Sequence, residues 1–279
     1  MQNPKDLIPA LDELGFVVEE ELATVLYLQL QLQKPLLLEG NPGVGKTQVA
    51  YILSKYLGYD LIRLQCYEGL DVSNAIYEWN YQKQLLAIKI HEQSGISEKE
   101  KEDLIFSEDY LLKRPLLQAI SANEKKVLLI DEIDRADEEF EAFLLELLSD
   151  FQISIPELGT IEAKHRPIVV LTSNRTRELS DALKRRCLYH WVNYPDKDKE
   201  MRIVQKHLPQ LEEQLVEQLA DYVQRIRLLK LDKSPGIAET IDWARGIAAL
   251  DGTDNAIYHS LSCLLKSDHD IQLVSQEIF

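Results

Sequence analysis

Eight consecutive residues, Gly40, Asn41, Pro42, Gly43, Val44, Gly45, Lys46 and Thr47, fit the pattern G-x-x-x-x-G-K-[ST] at every required position. Glycines at those places let the backbone curl so that its N–H groups point inward around phosphate oxygens. A helix N-terminus behind them adds positive partial charge. Lys46 can reach the β- and γ-phosphates of a nucleoside triphosphate, and the Thr47 hydroxyl can ligate Mg²⁺. Downstream, the apolar run Val127-Leu128-Leu129-Ile130 leads straight into Asp131 and Glu132. Asp131 would hold Mg²⁺, directly or through water, and Glu132 would act as general base on the attacking water. A carboxylate aimed at water points to hydrolysis. A further run, Ile168-Val169-Val170-Leu171-Thr172, ends at Ser173-Asn174, whose amide could position that water or read the γ-phosphate. One helix later comes Lys184-Arg185-Arg186, a basic triplet that by itself reads as surface solvation or a weak polyanion patch. A nucleoside triphosphate and Mg²⁺ are what this set implies.

The elements that must position these residues are legible around them. Leu36-Leu37-Leu38 supplies a strand before the glycine loop, and Val49, Ile52, Leu53, Tyr56 and Leu57 supply one face of a helix after it, with Gly58 as its stop. Leu61 to Leu64 and the two runs already named are further strands. Uninterrupted apolar runs mark parallel strands covered on both faces, and their alternation with helices is the α/β pattern. Before them, Leu22, Val25, Leu26 and Leu30 space a helix that ends near Lys34-Pro35. Beyond Tyr194-Pro195 the spacing is helical only, as in Leu215, Leu219, Tyr222, Val223 and Ile226. The boundary therefore falls near Asp196, with an α/β nucleotide-binding domain and N-terminal helices over 1–195 and a small all-helical domain over 196–279. After Glu132, a helix places Phe140, Phe143, Leu144, Leu147, Leu148 and Phe151 on a core stripe. Its acidic residues, Glu138, Glu139, Glu141 and Asp150, are expected to face solvent or an adjacent subunit. Tyr77, Trp79 and Tyr81 alternate as on a strand, and residues 98–103 read as a solvated face or loop.

Composition narrows the function classes. The chain has 279 residues, 47 acidic against 31 basic, and a net charge of −16; at 45% hydrophobic it is globular rather than disordered. Such a balance disfavours a basic nucleic-acid platform. Cys66, Cys187 and Cys263 lie far apart without a C-x-x-C pair, and Cys187 with His190 offers only two of the four ligands of a structural zinc site. Residues 1–6 lack the basic start of a signal peptide, and no apolar run approaches the ~18 residues of a membrane helix. The reading is a soluble, cytoplasmic protein with no membrane association. In that compartment the sequon at Asn174-Arg175-Thr176 carries no glycan.

The ordered set of the glycine loop, Asp131-Glu132, Asn174 and Arg185-Arg186, followed by helices, resembles the AAA+ ATPases. The finer likeness is to the MoxR group, in the branch that includes the maturation ATPase of carbon monoxide dehydrogenase. It is carried by residues 64–71, 77–81, 130–146, 172–177 and 239–245, and covers about Leu14 to Leu250. The resemblance makes the nucleotide ATP and implies a P-loop AAA+ core, with a parallel sheet flanked by helices, and a small all-helical lid domain. It makes residues 40–47 the Walker A loop, Asp131-Glu132 the Walker B pair and Asn174 the first sensor. Arg185 or Arg186 becomes the arginine finger reaching a neighbouring subunit, with Arg186 favoured because it adjoins the bulky residue that ends this helix. It further implies a hexameric ring, a chaperone-like role in metalloenzyme maturation or complex assembly, and a partner carrying a von Willebrand factor A domain. An insert is expected at 67–90 and a hairpin at 151–163, turning at Pro156-Glu157-Leu158-Gly159. The chain departs from the group where Ser234-Pro235 is followed by Gly236; many relatives carry a second-sensor arginine there, and here the next arginine of that helix is Arg245. Gly15-Phe16-Val17-Val18 carries no clear adenine signature. Two other functions compete: a nucleic-acid motor or loader, disfavoured by the acidic charge, and a nucleotide-gated scaffold, disfavoured by Glu132 and the arginine pair.

Overall fold

In the computed structural model, which describes residues 3–91, 97–250 and 255–279, the four apolar runs become neighbours in one sheet. The described strands are β1 (Leu36–Gly40), β2 (Leu61–Gln65), β3 (Tyr77–Trp79), β4 (Leu111–Lys113), β5 (Val127–Asp131), β6 (Gln152–Ile155), β7 (Gly159–Glu162), β8 (Ile168–Ser173) and β9 (Leu188–Val192). The main sheet runs in the order β2-β5-β8-β1-β9. Its registers are parallel, with Gln65 opposite Asp131, Ile130 opposite Leu171 and Glu39 opposite Ser173. The carboxyl ends of β1, β2, β5 and β8 therefore share one edge, the edge where open α/β sheets bind ligands. The strand β9 has no counterpart in the apolar runs. It ends the sheet beside β1, and Tyr189 and His190 break its hydrophobicity, as an edge strand permits.

The chain divides into two compact units. The larger comprises Val25–Glu39 and Val49–His190. Side chains alternate across its sheet: Leu37, Leu128, Ile130, Val169 and Leu171 join a core with Leu144, Leu147 and Leu148 of the helix Glu138–Asp150. Leu36, Leu38, Val127, Leu129 and Val170 point the other way and are equally buried. There Gln29, on the helix Glu20–Leu32, donates its amide to the Val169 carbonyl at 2.8 Å. Both faces are covered, which is why these strands read as unbroken apolar runs.

Three local expectations are revised. In the helix Glu138–Asp150, Phe143 is 50% exposed, whereas Glu141 is 2% exposed and forms an ion pair with Arg177. Glu141 also accepts the Ser180 N–H at 3.0 Å, so an acid assigned to the outer face instead anchors the segment after β8. The aromatic alternation stops at Trp79: β3 ends there, Trp79 is buried against Phe106, and Tyr81 begins an exposed position on the helix Tyr81–His91. The insert is longer than 67–90, because β3 pairs antiparallel with β4 and two helices, Tyr81–His91 and Glu98–Ile105, lie between them. The second of these is the acidic stretch, a solvated helix whose Ser97 and Glu100 form a capping box. The hairpin β6–β7 follows the expected pattern, with Ile153 and Ile155 buried and Gly159 at φ +80° in its turn.

The other unit comprises Met1–Thr24, Gly40–Gln48 and Trp191–Phe279. Among its described residues there is no strand beyond the ends of β1 and β9, and its helices Lys197–His207, Glu213–Arg227, Ile237–Ala249 and Asp268–Glu277 enclose Leu219, Val223, Ile226, Trp243 and Val274. Within that core Glu200 is 1% and Arg227 7% exposed, joined through two contacts of 2.6 and 2.8 Å. Thr240 and Gln224 each donate to the same carboxylate at 2.9 Å, and Arg227 Nε donates to the Pro235 carbonyl at 2.9 Å. Among the described residues no helix is long and apolar enough to cross a membrane. Removing one partner of a buried pair strands the other charge, at about 3–5 kcal/mol. Arg227→Met should therefore lower the denaturant midpoint markedly, while Arg225→Met on the same helix should leave it nearly unchanged.

Candidate functional site

The glycine loop leaves the carboxyl end of β1, and the helix Lys46–Leu57 begins at its lysine. Gly43 and Gly45 adopt φ +77° and +92°, a region that side chains disfavour. Gly40 has no room either, since a Cβ there would lie 2.2 Å from the Val192 carbonyl oxygen. Lys46 is buried, and its ammonium donates to the carbonyls of Gly40 and Asn41, each at 2.7 Å, drawing the loop closed around its own side chain. The loop packs against the start of the helix Ile237–Ala249 within the same unit. The Ile237 N–H donates to the Gly43 carbonyl at 2.9 Å, and a Cβ on Gly236 would come within 2.6 Å of the Gly43 Cα. This explains the glycine after Ser234-Pro235: no arginine, nor any other side chain, fits there in this arrangement. Arg245 is an exposed surface residue paired with Asp242 at 3.2 Å.

The acidic pair belongs to the larger unit. Asp131 is 2% exposed, and the Thr172 hydroxyl donates to its Oδ1 at 2.6 Å while accepting the Glu132 N–H at 2.9 Å. Arg63 on β2 contacts Oδ2 through Nε at 3.0 Å and Nη2 at 2.6 Å. Glu132 is left-handed at φ 56°, which turns it out of the strand line. Its carboxylate accepts the Asn174 amide at 3.3 Å and the Gln65 amide at 3.1 Å, with Arg135 at 3.5 Å. Asp134 fixes the loop after β8 by accepting the N–H groups of Asn174 at 3.1 Å and Thr176 at 2.8 Å. Thus Asp131, Glu132 and Asn174 lie together at one sheet edge. Arg186 turns back on its own chain, donating to the Ala182 carbonyl at 2.8 Å and to the Ser149 hydroxyl, whereas Arg185 is exposed. Arg63, Gln65, Thr172 and Asp134 are participants that motif spacing did not single out. Their only sequence signal is position: on the strands, or in the first turn after a strand, at the carboxyl edge of the sheet.

Cys66 follows β2 directly, its N–H donating to the Asp131 carbonyl at 2.8 Å. Burial, with the charges of Asp131, Asp134 and Glu132, pushes its thiol up to about 12. That disfavours the thiolate and with it a nucleophilic role at neutral pH.

The family described as AAA domain (dynein-related subfamily) matches residues 35–187. Midasin of Giardia intestinalis is 40% identical over 47 residues, 17% of this chain and 1% of midasin, so the chain spans a very small part of that relative. A Staphylococcus epidermidis protein described as uncharacterized is 27% identical over 261 residues, covering 89% of this chain and 90% of its own. The gas vesicle ATPase GvpN of Haloferax mediterranei is 25% identical over 246 residues, covering 82% of this chain and 66% of its own. Among solved structures, a variant of Thermotoga maritima RuvB superposes with TM-score 0.56 at 18% identity, covering 90% of this chain and 71% of that one. That likeness is one of fold.

Lys46 closes the loop on its own backbone, and the loop motif predicts that it also meets phosphate; on that expectation Lys46→Ala should weaken nucleotide binding by at least about tenfold, the loss of one charged hydrogen bond. Calorimetry showing undiminished ATP affinity would refute the phosphate-loop assignment.

Proposed function

The chain belongs to the family of AAA domains of the dynein-related subfamily, and on that premise we propose that it is a MoxR-type ATPase, working as a hexameric ring that converts ATP hydrolysis into remodelling of a client protein or complex. The observation that carries the reading is Glu132, presented at the carboxyl edge of the sheet, where the side-chain amides of Gln65 and Asn174 and the guanidinium of Arg135 orient its carboxylate. A carboxylate fixed in this way beside the Asn174 amide can accept a proton from water. The loop N–H groups and Lys46 bind the phosphates. Asn174 orients a water, Glu132 accepts its proton, and the water oxygen bonds to the γ-phosphorus as the bond to the ADP oxygen breaks. Thr47 and Asp131 offer the hard oxygen donors that suit Mg²⁺, which when bound neutralises triphosphate charge.

Residues 196–279 act as the lid. Arg185, exposed where Arg186 is engaged by its own chain, is the better placed of the two to act as a finger on a neighbouring subunit. The likeness to a gas vesicle ATPase supports ATP turnover. A chaperone-like task in metalloenzyme maturation, a partner with a von Willebrand factor A domain and a cytoplasmic location complete the proposal; they rest on the resemblance of residues 64–71, 77–81 and 239–245 to the carbon monoxide dehydrogenase branch.

Glu132→Gln should bind ATP but lose steady-state turnover; normal hydrolysis by this variant would place the water-activating group elsewhere. The finger is tested by mixing. Arg185→Ala subunits, slowed by about 10³–10⁵, should regain activity with Lys46→Ala subunits, because a mixed ring pairs an intact loop with an intact arginine. Arg186→Ala in the same assay decides between the neighbours, and silence from both despite proven co-assembly would return the triplet to a surface role.

A further inference from the structure

Glu39 is a buried acid that the mechanism above does not use. It precedes Gly40 in β1, stands opposite Ser173 in the register with β8 and is 4% exposed. Three donors surround its carboxylate. The Ser173 hydroxyl donates to Oε1 at 3.3 Å, the Tyr189 hydroxyl donates to Oε2 at 3.1 Å, and Arg175 Nε lies 3.8 Å from Oε2. Burial, followed by the charge and the hydrogen bond of Glu39, pushes the Tyr189 phenol up, so it keeps its proton and donates. Ser173 is fully buried and its one proton goes to Glu39, so its lone pairs are left to accept the Arg175 N–H at 3.0 Å. That bond closes a turn in which Arg175 is left-handed at φ 57°, a conformation that a bulky side chain adopts only where its surroundings impose it. Asn174 lies inside this turn, and its own N–H is held from the other side by Asp134 Oδ1 at 3.1 Å. The residue whose amide meets Glu132 is therefore fixed by two carboxylates, Asp134 from beyond β5 and Glu39 from β1.

We propose that Glu39 is a positioning residue for Asn174: it fixes the Ser173 hydroxyl and the Arg175 side chain, and through them the turn that aims the Asn174 amide. The inference rests on the reading above in which Asn174 orients the attacking water. An ionised carboxylate suits the task because it only accepts. Its two oxygens serve donors from β8 and β9 together, while its charge faces Arg175. Glu39→Gln would present one accepting oxygen in place of two and no charge to hold Arg175. Ser173→Ala would leave the buried end of the turn without the acceptor for the Arg175 N–H. Neither substitution removes a group assigned to phosphate, water or metal, so the loss falls on the aim of Asn174.

The test measures ATP turnover, and calorimetric affinity for a non-hydrolysable ATP analogue with Mg²⁺, in the parent chain, Glu39→Gln and Ser173→Ala. Each substitution is then repeated in an Asn174→Ala background under single-turnover conditions. Analogue affinity and KM should stay near the parent values, while kcat falls by about tenfold to a hundredfold, the larger figure being the cost of roughly 1 Å of misplacement. In the Asn174→Ala background neither substitution should slow hydrolysis further, because residues that act through one group are not additive with its loss. In spectra of protein labelled with ¹⁵N in its asparagine side chains, the Asn174 amide, assigned by its loss in Asn174→Ala, should shift in both variants. Ser173→Ala carries the same test should Glu39→Gln fail to fold. Equal slowing with and without Asn174 would mean that Glu39 acts elsewhere, and would overturn the proposal. Weakened analogue affinity at parent kcat would make Glu39 a support of the glycine loop and overturn it too. Parent turnover in both variants with an unmoved Asn174 amide would reduce Glu39 to a structural charge, which also overturns it. Normal hydrolysis by Asn174→Ala alone, or none by the parent, would instead overturn the reading of Asn174 or of ATP turnover, and this inference with it.

Discussion

The carboxylate of Asp131 is withdrawn from water almost completely, and an isolated charge in such a place would be prohibitively costly. Its environment is the consequence. Thr172 on β8 and Arg63 on β2 meet its two oxygens from opposite neighbours, so the strand order β2-β5-β8 is also the order of the groups that make this buried charge tolerable. The same Thr172 hydroxyl takes the N–H of Glu132, and the left-handed turn at Glu132 carries the next carboxylate to Asn174 and Gln65. One buried charge thus organises the ends of three strands. The apolar body of the sheet supplies the rigidity that this chemistry requires.

In the other unit the governing constraint is steric. Gly43 and Gly236 approach backbone to backbone, a distance that only two residues without Cβ atoms allow. The approach is held by the Ile237 N–H on one side and by Arg227 on the other, since Arg227 fixes the Pro235 carbonyl next to Gly236. The buried pair of Glu200 and Arg227 therefore helps set where the helix Ile237–Ala249 begins relative to the glycine loop. Buried ion pairs are weak sources of net stability, and conformational definition is the use this one serves.

The insert between β3 and β4 follows a different logic. Its helix Tyr81–His91 buries Gln84 and Ala87 while exposing Tyr81, Leu85, Leu86, Ile88 and Ile90. Gln84 faces inward because its amide reaches the Ile105 carbonyl at 2.7 Å, tying the helix to its partner with a polar rather than an apolar contact.

What the sequence by itself determined is what chain neighbours decide. The glycine loop is one contiguous segment, and its strand and helix are local periodicities, so its conformation follows from residues side by side in the chain. The parallel sheet was equally legible, because coverage on both faces leaves unbroken apolar runs in β1, β5 and β8. The edge strand β9 was not, since one uncovered side admits polar residues that hide it. Glu141 and Phe143 exchanged their expected roles because the helix Glu138–Asp150 meets Arg177 at a place no periodicity encodes. Arg63 and Gln65 lie more than sixty residues from the carboxylates they touch, and only the β2–β5 register brings them there. Gly236 read as the loss of an arginine, and only the approach of Gly43 turns that loss into a steric requirement. Types and short spacings are written along the chain; register and close packing exist only once distant segments meet, and those decided which groups surround the acidic pair.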